Sequence, residues 1–130
     1  ASFIQYMLPG SPSLYYGDEA GMEGHKDPFN RRTYPWGKED QELQTHFRIL
    51  GQLRKDYAAL RTGDTEIFRA GEGCFGFVRS LESSKLRIYV NRSKANWQIP
   101  AGKLLFAKGV KTVAPDWLEL ASMGMCIVEE

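Results

Sequence analysis

Residues Ser13-Leu14-Tyr15-Tyr16 form a brief apolar and aromatic run, with Pro12 before it and Gly17 behind it. A short run bounded on both sides by turn residues is the pattern of a strand buried on both faces. Such a strand needs hydrogen-bonding neighbours on both edges, and no other segment of the chain has the same character. The expectation is a strand shaped within a larger parallel sheet. In this chain alone it should be extended, rearranged or sheltered by a second copy. Beyond it, residues 17–38 show no periodicity but hold Gly21, Gly24, Pro28, Pro35 and Gly37. A loop of about twenty residues is uncommon in a compact domain unless it is functional.

The flanks of this loop are easier to read. Ala1 to Leu8 is apolar apart from Ser2 and Gln5, and Pro9-Gly10 breaks it, as at the end of a helix. After the loop, Leu43, Phe47, Leu50, Leu53 or Arg54, Tyr57 and Leu60 recur at spacings of three and four. The spacing predicts one amphipathic helix from about Asp40 to Leu60. Asp40 suits its N-cap, Glu42 its first turn, and Arg61 and Gly63 its far end. Past residues 61–65 the period changes to two. Candidate strands are 66–70, 74–80, 86–91, 96–99, 103–106 and 125–129, with weaker ones at 112–113 and 116–120. Several short strands separated by turn-rich segments indicate an antiparallel sandwich or open barrel. Arg69, Arg79, Arg87 and Arg92 read as solvated strand charges.

Composition excludes several function classes. An apolar fraction of 42% in 130 residues supports a real core rather than disorder. Seventeen basic against sixteen acidic residues give no electrostatic reason to expect nucleic acid or an anionic membrane. No apolar run approaches the ~20 residues of a membrane helix. No secretory signal is visible, which says nothing about location if polypeptide precedes Ala1. Cys74 and Cys126 lie in apolar surroundings and read as small hydrophobes rather than as a disulfide framework. His25 and His46 lack metal-ligand spacing, so neither metal nor cofactor is expected.

The run Leu8-Pro9-Gly10-Ser11-Pro12-Ser13-Leu14-Tyr15-Tyr16-Gly17-Asp18-Glu19-Ala20-Gly21-Met22, followed by Asp27-Pro28-Phe29-Asn30-Arg31-Arg32, Pro35 and Trp36, closely resembles the end of the catalytic barrel in the α-amylase family. Neopullulanases, cyclomaltodextrinases and maltogenic amylases are the most similar members. The resemblance continues through Ala59-Leu60-Arg61-Thr62-Gly63 and weakens to Tyr89-Val90-Asn91-Arg92-Ser93 in the second half. It implies an α+β chain. Residues 1–64 would be the C-terminal end of a (β/α)8 barrel, with its eighth strand, the following loop and its last helix. Residues 65–130 would be an antiparallel β-sandwich C-terminal domain packed against the barrel. Barrel active sites lie in the loops after the strands, so residues 17–38 would face the sugar cleft. The family's nucleophile, acid and transition-state-stabilising aspartate come from earlier strands, upstream of Ala1. No catalytic residue is therefore expected here, and the chain alone should be inactive.

Asp18 and Glu19 are not expected to be a glycosidase pair, because adjacent residues leaving a strand point apart rather than converge on one bond. Asp27 and Arg31 are the substrate-binding candidates. One can accept and the other donate hydrogen bonds to sugar hydroxyls, and the resemblance implies contacts on the non-reducing side of the cut. The two could instead pair with each other. Phe29, Tyr34 and Trp36 could stack on pyranoses, although packing under the loop is the favoured reading. Tyr15 and Tyr16 would line the barrel. The expected partner is an α-glucan oligosaccharide. Whether water or a sugar attacks is left open, as is a non-catalytic module for carbohydrate binding or subunit contact.

Overall fold

A computed structural model describes all 130 residues. Helix α1 spans Ser2–Met7, α2 spans Gln41–Asp56 and α3 spans Ala59–Thr62, with a single 3-10 turn at Asp18–Ala20 between the first two. Six strands follow: β1 Asp64–Gly71, β2 Cys74–Leu81, β3 Ser84–Asn91, β4 Trp97–Pro100, β5 Lys103–Val113 and β6 Trp117–Glu129. All pairings are antiparallel. Hydrogen bonds join the six into one continuous sheet, ordered β1-β2-β3-β6-β4, with β5 along the other edge of β6.

The expected single helix is broken in two. Asp40 caps α2 as predicted, its Oδ1 accepting from the Leu43 amide at 2.9 Å. The helix stops at Tyr57, whose backbone is extended. Arg61 then folds back and donates to the carbonyls of Arg54 and Lys55, satisfying acceptors that every helix C-terminus leaves open. The eight candidate strands become six. Residues 103–106 and 112–113 are one strand, and 116–120 and 125–129 are another. Gly109 at φ +78° and Met123 at φ +61° interrupt the alternation without ending the pairing. Register shifts within β5 mark bulges, which bend a strand rather than terminate it.

The sheet buries both faces. On one, Phe77 of β2, Leu86, Ile88 and Val90 of β3 and Ile127 of β6 pack against Phe3, Tyr6 and Met7 of α1, Leu50 and Leu53 of α2, and Leu60 of α3. Most of these side chains are almost completely enclosed, and full burial of each contributes about 1.5–3 kcal/mol. The apolar stripe of α2 packs on α1 and, at Leu50 and Leu53, joins the same core cluster as the strands. On the other face, Tyr89, Ile99, Leu118, Leu120, Cys126 and Val128 form a second cluster.

Leu14–Tyr16 forms no strand, in line with the expectation for this chain alone. The segment has no regular secondary structure, runs into a turn at Tyr16 and pairs with no strand, and Leu14, Tyr15 and Tyr16 are 38%, 51% and 45% exposed. All strands of the sheet come from residues 64–129, so nothing flanks this run on either edge. Its backbone is held by local groups instead.

Candidate functional site

The loop of residues 17–38 is tied down at several points. Gly17 sits at φ +90°, and a Cβ there would lie 2.2 Å from the Met22 sulfur, so only glycine fits. Asp18 Oδ2 accepts from the Tyr15 amide at 3.3 Å, and Glu19 Oε2 accepts from the Gly17 amide at 3.1 Å. These two carboxylates brace the start of the loop, each on a separate backbone amide. The Tyr16 hydroxyl donates to the Arg32 carbonyl at 2.8 Å, holding the two ends of the loop together. The Asp40 amide donates to the Ala20 carbonyl at 3.1 Å, joining the loop to the start of α2.

Asp27 and Arg31 lie on the turn at the tip. Arg31 Nε and Asp27 Oδ1 are 2.7 Å apart, with side chains 69% and 58% exposed respectively. An exposed pair of this kind contributes at most ~1 kcal/mol, so a polyhydroxylated ligand can exchange its hydrogen bonds for theirs at small cost. Phe29 stands between them at 64% exposure and Trp36 is 81% exposed. The favoured packing of these rings beneath the loop is therefore incorrect. Only Tyr34 is half-buried; its ring lies 4.6 Å from that of Trp36, and its hydroxyl accepts from Gln44. The Trp36 ring packs on Tyr34 and is otherwise open to solvent.

The segment that leaves α1, ahead of the loop, is held by a pair of buried arginines. Arg54 of α2 donates to the carbonyls of Tyr6, Leu8 and Gly10, where the chain leaves α1. Arg79 of β2 is wholly enclosed and donates to Met7 O and Gly63 O, each at 2.9 Å. Burial, and then the neighbouring positive charge, lowers the pKa of both guanidinium groups: Arg61 acts on Arg54, and Arg54 on Arg79. Reading Arg79 as a solvated charge was wrong. The signal was its phase, since Phe75, Phe77 and Arg79 share one strand face and that face is the core.

The cysteines are free thiols, Cys126 buried and Cys74 half-buried. Burial pushes the Cys126 thiol up to about 12, so it is inert at neutral pH. No group of three or more His, Cys, Asp or Glu side chains converges on a common point. No helix is long and apolar enough to cross a membrane.

Against known proteins, no family model matches the chain. It is 47% identical over 85 residues to the amylopullulanase of Thermoanaerobacter thermohydrosulfuricus, which is 65% of this chain and 6% of that protein. It is 37% identical over 101 residues to the cyclomaltodextrinase of Geobacillus thermopakistaniensis, 75% of this chain and 17% of that one. Among solved structures, the Nostoc punctiforme debranching enzyme superposes with a TM-score of 0.84 at 30% identity, covering 98% of this chain and 30% of that chain. The chain belongs to the α-amylase family. It spans less than a fifth of the two relatives and under a third of the solved structure. Its mostly antiparallel sheet with few helices matches the C-terminal β-domain of an amylase.

Proposed function

We propose that this chain is a segment of an α-glucan-acting glycosidase, contributing sugar contacts and domain packing rather than the bond-breaking carboxylates. Residues 1–64 form the last strand, loop and helix of the catalytic barrel, and residues 65–130 the C-terminal β-domain. The observation that carries this reading is the uneven cover of the first part. Its inner side is sealed against the sheet, while Leu14, Tyr15, Tyr16, Phe29, Trp36 and Ile49 are left exposed. Exposed large apolar side chains in this number along residues 14–49 fit a surface shaped for more polypeptide or for ligand.

In that setting the Asp27 carboxylate accepts from sugar hydroxyls and the Arg31 guanidinium donates to them, each releasing the other on binding. Asp18 and Glu19 keep their structural role and Tyr16 holds the loop closed. The names of the relatives support the substrate class: an amylopullulanase and a cyclomaltodextrinase are both named for glucans. Transglycosylation and isomerisation within the same family would use the same contacts. A hydrolysis assay with pullulan and cyclodextrin tests the assignment, and no turnover above buffer is expected of this chain. Measurable turnover would mean that it holds its own catalytic carboxylates and would overturn the reading.

A further inference from the structure

The second face of the sheet carries a groove, remote in sequence from the loop, that neither domain packing nor the loop contacts use. It has a volume of about 460 Å³ and lies between β4 and the outer faces of β1, β2 and β3. That is within the usual range of ligand pockets, roughly 300–1,000 Å³. Tyr89, almost fully buried, is its floor. Phe68 lies edge-on to Tyr89 on one side at 5.4 Å, and Trp97 does so on the other at 5.3 Å.

The Phe68 platform is built by two local irregularities. The pairing of β1 with β2 steps from Ile67↔Phe77 to Arg69↔Gly76, leaving Phe68 as an unpaired bulge residue. A bulge re-aims the side chain it carries. The re-aimed ring lies over Gly76, where a Cβ would sit 2.4 Å from Phe68 Cε2. Glycine inside a strand weakens it, and here its lack of a side chain gives the ring room to lie down. Phe68 remains 44% exposed despite this support. Around the rings stand the planar polar groups of Glu66, Gln98 and Arg87, the last ion-paired with Glu130, which also lines the groove.

We infer that this groove is a second sugar site that takes a segment of an α-glucan chain. A pyranose has apolar C–H faces and a rim of hydroxyls, so it needs aromatic surface flanked by planar donors and acceptors. Arg87 supplies a fork of donors, Glu66 acceptors and Gln98 both. A purely apolar protein-binding groove would not place charged groups of both signs beside its rings. The α-glucan class rests on the proposed function above; the existence of a sugar site rests on the groove alone.

Maltoheptaose titrated into the full chain, followed by calorimetry and by amide chemical shifts, tests it. Binding in the millimolar range or tighter is expected, with shifts at residues 68, 87 and 97. Phe68→Ala should weaken it about tenfold, as should Gly76→Ala, which displaces the ring without removing it. In Asp27→Ala with Arg31→Ala the maltoheptaose-induced shifts at residues 68, 87 and 97 should persist. Circular dichroism of each variant verifies the fold. No binding by the unaltered chain would overturn the inference and leave the proposed function standing, since that is read by turnover. Shifts confined to residues 17–38, with affinity lost in the Asp27 and Arg31 variant, would also overturn it, by placing the sugar on the loop.

Discussion

Arg79 shows how one residue can join the parts of a chain. Its guanidinium reaches from the sheet to the end of α1 at Met7 and to the start of β1 at Gly63, with no acidic partner and with its Nε unpaired. Two opposing effects decide what its loss would do. Removing an uncompensated buried charge relieves a desolvation penalty. It also strips the donors from two carbonyls, and hydrogen bonds from charged donors contribute about 1.5–3 kcal/mol each. The second effect wins because two such bonds are lost together. Arg79→Met should lower the free energy of unfolding by about 2 kcal/mol, seen as a lower urea midpoint, and Arg79→Lys should recover part of it. An unchanged midpoint in Arg79→Met would show the clamp to be dispensable. The residue was misread in the sequence because charge argues for solvent and alternation argues for the core. Alternation governs here because the ends of α1 and α3 bring unsatisfied carbonyls to that position. Asp27 and Arg31 were legible as a pair by spacing alone, but their exposure depends on how the tip of the loop stands clear of the body.

At the level of elements, the parts with strong periodicity were legible and their limits were not. The cap at Asp40 and the stripe of α2 followed from residue type and spacing. The break at Tyr57 did not, because it is imposed by Arg61 folding back onto the helix end. The merging of short strands into β5 and β6 was hidden for a related reason: bulges and positive-φ residues resemble turns in a sequence, while pairing continues through them. The glycines of the helical region give a direct test of packing. A Cβ on Gly63 would meet the backbone oxygens of Ala59 and Ser80 at 2.5 and 2.6 Å, so α3 and β2 would have to part. On Gly51, inside α2, the nearest atom would be Tyr6 Cε1 at 4.0 Å. Gly63→Ala should destabilise by about 2 kcal/mol through overpacking. Gly51→Ala should stabilise by roughly 0.5–1 kcal/mol, because alanine loses less entropy on entering a helix. Thermal unfolding of the two variants should shift in opposite directions; shifts of the same sign would show that the contact between α3 and β2 is looser than described.

For the whole molecule, the β-region and the inner side of the helices make a closed core, whereas residues 13–38 carry apolar and aromatic groups that nothing covers. The sequence pattern of Leu14–Tyr16 is that of a buried strand, yet the segment is irregular and exposed. That conflict between pattern and placement is what a barrel strand without its neighbours would show, and the α-amylase relatives extend far beyond the region they share with this chain. Amide hydrogen exchange on the chain alone reads this directly, because protection requires a stable hydrogen bond and cover from water. Residues 14–16 should exchange at rates typical of open loops, while Ile88 to Val90 in β3 exchange only through global unfolding. Protection of Leu14–Tyr16 equal to that of β3 would mean that the run is paired and buried without further polypeptide, and would contradict the proposal that it is an unpartnered barrel strand.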